Sequence, residues 1–126
     1  MMICDELNKY LLLKLGKDDI DEHDIKNVKS LSLVFEKDKN IIYDFKDLMY
    51  FKNLEELIIQ RADINNLEIN CINRVDTLKK LVFSECNFKA KCNLCNNVED
   101  VWVQKSKNFK KSYLSGLNNL KNLKVE

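Results

Sequence analysis

The stretch from Leu54 to Phe88, LEELIIQRADINNLEINCINRVDTLKKLVFSECNF, carries one pattern twice. Leu54, Leu57, Ile59, Ala62 and Ile64 are spaced L-x-x-L-x-L-x-x-small-x-L, and Leu78, Leu81, Phe83, Cys86 and Phe88 repeat that spacing 24 positions further on. Self-similarity at a fixed period means stacked units, none of which can bury its apolar face alone.

The same rule extends in both directions. With the second leucine of each unit as a marker, the series is Leu31, Leu57, Leu81, Val101 and Leu123, separated by 26, 24, 20 and 22 residues. Each marker starts a short strand whose next-but-one residue also faces inward: Leu33, Ile59, Phe83, Val103 and Val125. Upstream of the markers, apolar residues recur every three positions, at Leu48, Phe51 and Leu54, at Ile72, Val75 and Leu78, at Cys92, Cys95 and Val98, and at Leu114, Leu117 and Leu120. Ile25 and Val28 keep only part of this rule. Such spacing suits a short helical or 3₁₀ turn on the outer side of each unit. Glu36–Asp47 is longer than a unit needs and predicts a protruding loop or an extra strand.

In front of the units, Cys4, Leu7, Tyr10, Leu11, Leu12 and Leu15 have helical spacing, and Gly16 follows as a stop. A second short helix is expected to start at Asp18 or Asp19, whose carboxylate can cap its free amides. This front end reads as a cap laid over the first layer of the core.

LNKYLLLKLGKDDIDEHDIKNVKSLSL (Leu7–Leu33) and FKNLEELIIQRADI (Phe51–Ile64) resemble the bacterial leucine-rich repeat domains with an N-terminal helical cap, the internalin-like group among them. The resemblance spans nearly the whole chain and speaks to fold, not function. It implies an α/β fold: a right-handed solenoid of about five repeats with a parallel sheet on its concave face. The chain is then a single domain, residues 1–27 forming the cap and residues 28–126 the repeats. The small position that usually holds Asn is Glu36, Ala62, Cys86 and Ser106 here, so a weak side-chain ladder is expected at the bends.

Composition narrows the function classes. The 126 residues suffice for one continuous core. Net charge is +1, so no global field draws the chain to nucleic acid or membrane. Charge is uneven, however: residues 1–24 sum to −4 and residues 101–126 to +5. The start lacks a basic n-region, and Leu11–Leu13 is too short to span a bilayer, so no membrane association is expected. Five cysteines without a secretory signal suit a reducing cytoplasm. Abundant Lys, Asn and Ile match an AT-rich bacterial or phage genome.

CNLC at Cys92–Cys95, with Cys71 and Cys86 nearby, invites a zinc site. The register argues otherwise, since Cys92 and Cys95 fall where other units hold Leu48 and Phe51 or Ile72 and Val75, and no second pair completes a ligand set. His23 is the only histidine, in an acidic turn with no nucleophile beside it. There is no phosphate-binding loop or catalytic motif, and two glycines cannot build a phosphate cradle. The expectation is a protein that is not an enzyme, with no catalytic residue, metal or cofactor.

The informative positions lie between the inward residues of each strand and project from the concave sheet. The middle column reads Ser32, Ile58, Val82, Trp102 and Lys124. Three adjacent apolar side chains ending in the only Trp, with polar neighbours, have the build of a binding surface. A plainer reading is that they cover one another as cross-strand neighbours do. The partner-binding residues expected from this register are Ile58, Gln60, Lys80, Val82, Ser84, Asp100, Trp102, Gln104 and Lys124. The chain also stops inside its last strand, which would leave Leu120, Leu123 and Val125 to meet a second copy or a partner. The functional expectation is a non-catalytic protein–protein interaction module, a stoichiometric binder or inhibitor. Its rivals are a fragment of a larger surface adhesion-type protein, or a nucleic-acid-associated binder using the lysines from Lys105 to Lys124.

Overall fold

Short runs in which every second residue is a large apolar one suit strands that bury one face, and five such runs in this chain form the strands of one sheet. The computed structural model describes residues 3–126, so the first two positions of the cap expected over 1–27 lie outside the described residues. In chain order come α1 (Asp5–Leu15), α2 (Glu22–Lys26), β1 (Ser30–Val34), the 3₁₀ turns η1 (Lys37–Lys39) and η2 (Phe45–Tyr50), and β2 (Glu56–Gln60). There follow β3 (Asp63–Ile64), α3 (Asn66–Asn73), β4 (Lys80–Ser84), β5 (Asn87–Phe88), β6 (Asp100–Gln104), η3 (Lys111–Leu114) and β7 (Asn122–Val125).

The result is an α/β fold built on a five-stranded parallel sheet in the order β1-β2-β4-β6-β7. Register is strict. Leu31, Leu57, Leu81, Val101 and Leu123 sit side by side, and Leu33, Ile59, Phe83, Val103 and Val125 form the next row. These rows face the core, and from β1 to β6 every member is essentially sealed from solvent. Removing such a side chain from water contributes about 1.5–3 kcal/mol. A second, two-stranded parallel ladder of β3 and β5 runs beyond the strand ends.

Two backbone devices recur with the sequence period. Before each strand one carbonyl accepts two successive amides: Lys29 from Glu55 and Glu56, Glu55 from Lys79 and Lys80, Lys79 from Glu99 and Asp100, Glu99 from Lys121 and Asn122. The five residues of this column alternate in charge, and Glu99 pairs with Lys79 at 3.7 Å and Lys121 at 3.6 Å. After the strands, Arg61, Glu85 and Lys105 turn the chain in the left-handed region, at φ of 62°, 52° and 50°. Each of their amides bonds across to the next unit: Arg61 to Ser84, Glu85 to Gln104 and Lys105 to Glu126.

The bend positions are better braced than their residue types suggest. Cys86 Sγ donates to the Ile59 carbonyl at 3.4 Å, and the Cys86 amide donates to Ser106 Oγ at 3.0 Å. Ala62, buried and without a polar atom, offers no rung.

The front end differs in detail from its expected form. α1 ends at Gly16, which takes φ 64°, but α2 starts at Glu22, not after Asp18 or Asp19. Asp21 is its N-cap because Asp21 and Asp24 form a reciprocal capping box, each carboxylate accepting the other's amide. Leu7 and Leu11 bury one face of α1, and the Cys4 amide donates to the buried Asp47 carboxylate at 2.8 Å.

Glu36–Asp47 is neither a free loop nor a strand. One antiparallel bridge, Glu36 with Ile41, closes a tight turn around η1. Phe35 then packs against Tyr43 and Phe45, drawing the segment back onto the core. The outer-side turns are uneven too. Leu48 and Ile72 lie on η2 and α3, whereas residues 89–99 form no helix. There Leu94 is buried and Cys95 is exposed, against the expected inward position of Cys95. Leu94 and Tyr113 explain the shift: the Leu94 amide donates to the Tyr113 carbonyl at 2.9 Å, which turns Leu94 inward.

Candidate interaction surface

The sheet face turned away from the core carries three columns of side chains. The first is Ser30, Glu56, Lys80, Asp100 and Asn122, and its members satisfy one another. Ser30 Oγ donates to Glu56 at 3.2 Å, Lys80 pairs with Glu56 at 3.8 Å, and Asn122 Nδ2 donates to Asp100 at 2.6 Å. The third column, Val34, Gln60, Ser84 and Gln104, has a similar link, Gln104 Nε2 donating to Ser84 Oγ at 2.9 Å. Exposed pairs of this kind contribute about 0–1 kcal/mol each. They keep the strands in register and leave little charge unmet.

Between them runs the apolar middle column. Ser32, Ile58, Val82, Trp102 and Lys124 stand in cross-strand register. Ile58 and Trp102 are half-buried, whereas Val82 between them is only 5% exposed. Val82 and Ser84 therefore depart from the expectation that the whole set is open to solvent. Cross-strand neighbours cover them, so at Val82 the plainer sequence reading holds. Gln60, Lys80, Asp100, Gln104 and Lys124 remain accessible around the column.

Trp102 is the unusual member. Lys124 Nζ lies 4.8 Å from the centroid of its ring, a cation–π arrangement. The indole Nε1 is buried and has no hydrogen-bond partner, alone in this among the described side-chain polar atoms. An unmet buried donor costs about 1–3 kcal/mol. No sequence signal marks that deficit, because it depends on what the neighbouring strands place around the ring.

Among the described residues no group of three His, Cys, Asp or Glu side chains is placed to hold a metal ion. Cys71, Cys86 and Cys92 are buried free thiols, and burial pushes all three above the usual thiol range. His23 is exposed on α2, its Nε2 3.1 Å from Asn27 Nδ2. Beyond the sheet, Leu120 is half-buried, while Leu123 and Val125 on β7 are 39% and 45% exposed. No helix among the described residues is long and apolar enough to cross a membrane.

No protein-family model, curated protein or solved structure matches this chain. The functional reading therefore rests on the sheet face itself.

Proposed function

We propose that the chain is a solenoid of about five leucine-rich-repeat-type units and works as a non-catalytic protein-binding module. Its binding surface is the outward sheet face, centred on Ile58 and Trp102. Val82 acts as the packed floor, and Gln60, Lys80, Asp100, Gln104 and Lys124 form the polar rim. The observation that carries the reading is the unmet indole N–H of Trp102 at the end of an apolar column. A partner whose docking uncovers that nitrogen and brings it a carbonyl or carboxylate removes a standing deficit. Trp in such a setting is the commonest interface anchor. The flanking charges are engaged within the sheet, which favours an apolar anchor over charge steering as the source of affinity.

Binding one partner surface tightly makes the protein a stoichiometric binder or inhibitor, and five free thiols suit the cytoplasm for that role. A single stable partner in a pulldown, lost in Trp102→Ala and in Ile58→Asp, is the expected result. Retained binding in both variants would remove the surface assignment. The nucleic-acid alternative draws on Lys105, Lys107, Lys110 and Lys111, which form no ion pair among the described residues. Its mark is affinity for nucleic acid that falls steeply with salt. Tyr113, beside those lysines, is buried against Phe88 and Phe109, and Phe109 is itself partly buried, which leaves little aromatic surface there for a base to stack on.

A further inference from the structure

A cavity lies away from the sheet face, between η2 and α3. It measures about 640 Å³. Leu48, Phe51 and Val75 form its buried floor, and Met49 and Leu67 stand at its lips, 59% and 53% exposed. A second cavity of about 440 Å³ adjoins it, sharing Phe45 and Leu67, with Ile42 on its wall at 52% exposure. Three of the largest exposed apolar side chains thus gather on one strip, whereas scattered ones would need no explanation.

The charge around the larger cavity is unbalanced. Lys46, Lys52 and Arg74 rim it against one carboxylate, Asp76, and none of the three cations is in an ion pair among the described residues. The smaller cavity is lined instead by Asp44, Asp63 and Glu68, of which Asp63 holds Lys37 and Lys89. The positive excess belongs to the larger cavity.

We infer that this groove binds an acidic amphipathic helix from a protein partner, at a site separate from the sheet face. Its apolar residues would lie on Met49 and Leu67, and its carboxylates would meet Lys46, Lys52 and Arg74. The secondary structure of the occupant follows from the walls. Both walls of the larger cavity, η2 and α3, are helical, so it has no strand edge to pair an extended peptide. A ligand there must satisfy its own amides and carbonyls, which a helix does.

Random peptides displayed on phage, selected on the full chain and then titrated by fluorescence anisotropy, test the proposal. The selected peptides should carry Asp or Glu beside apolar residues spaced three and four apart. Their affinity should fall about tenfold, the loss of one good contact, in Leu67→Ser and in Met49→Ser. It should fall further in Lys46→Glu combined with Arg74→Glu, and also with added salt. All four positions are exposed, so the variants should melt near the parent temperature by circular dichroism. Leu13→Ser, an exposed change on α1, should leave affinity unchanged. The proposal is overturned if no peptide is enriched, if enriched peptides lack acidic residues, or if they bind the Leu67 and Lys46 variants as tightly as the parent. Concentration-dependent dimerisation abolished by Leu67→Ser would assign the groove to a second copy of the chain and also end it.

Discussion

Tyr10 closes the outer edge of the sheet: the Ser32 amide on β1 donates to its phenolic oxygen across 3.1 Å. Ser32 lies on an edge strand whose other side pairs with Ile58 on β2. An unpaired strand edge is an invitation to aggregate, and proteins block it with a helix or loop. Here α1 does so with one side chain, whose ring packs on the core while its oxygen serves the backbone. Tyr10→Phe keeps the ring and deletes the acceptor. It should lower stability by about 1 kcal/mol, seen as a lower urea midpoint with unchanged slope. An unaltered midpoint would mean that water replaces the hydroxyl without loss.

Lys105 is held at φ 50° by the turn that follows β6. A side chain in that region carries a steric cost of about 1–2 kcal/mol, which glycine avoids. Glycine also loosens the unfolded chain, so part of the gain is returned. Lys105→Gly should therefore stabilise the protein by about 0.5–1 kcal/mol in the same urea experiment. Glu85→Gly should do less, because Glu85 also pairs with Arg61 at 3.2 Å.

The period of the leucine-type residues reveals the sheet. Leu31, Leu57, Leu81, Val101 and Leu123 become one row because spacing alone fixes which side chains share a face. The turns were less legible. Arg61, Glu85 and Lys105 are not glycines, so nothing in their residue types signals a left-handed bend; only their repetition at the strand ends could have done so. Cys95 escapes the three-residue rule because its segment forms no helix to impose that spacing. Of the candidate surface, its column was legible and its exposure was not. Val82 is sealed by Ile58 and Trp102, neighbours on the two adjacent strands that lie more than a strand's length away in sequence.

Asp63 sits between two lysines, Lys37 and Lys89. The hydrogen bond from Lys37, above all, holds its carboxyl below the usual carboxylate range. A carboxyl group whose pKa is lowered by folding stabilises the protein above its unfolded pKa, about 3.9, and loses that contribution as pH falls through the folded value. Its side chain is 32% exposed, so solvent screening limits the effect to less than about 1 kcal/mol. Asp63→Asn should be less stable than the parent at neutral pH, and the gap should close on acidification toward pH ~2. Added salt should narrow the gap at neutral pH. A gap that persists in acid would trace to packing, not charge.

Val82 and Trp102 are adjacent in one column yet should respond differently to substitution. Val82 is almost sealed, so Val82→Ala leaves a void and should cost about 2 kcal/mol. Trp102 carries a buried N–H that meets nothing. Trp102→Phe gives up some apolar area but also removes that unmet donor, a deficit of about 1–3 kcal/mol. The two terms oppose each other, so the variant's stability should stay within about 1 kcal/mol of the parent. Partner affinity should nonetheless fall, because phenylalanine cannot donate to the acceptor that the indole awaits. Binding and stability measured on the same two variants separate a floor residue from an anchor. If Trp102→Phe lost stability while keeping full affinity, the indole would belong to the fold alone and the centre of the proposed interface would have to lie elsewhere.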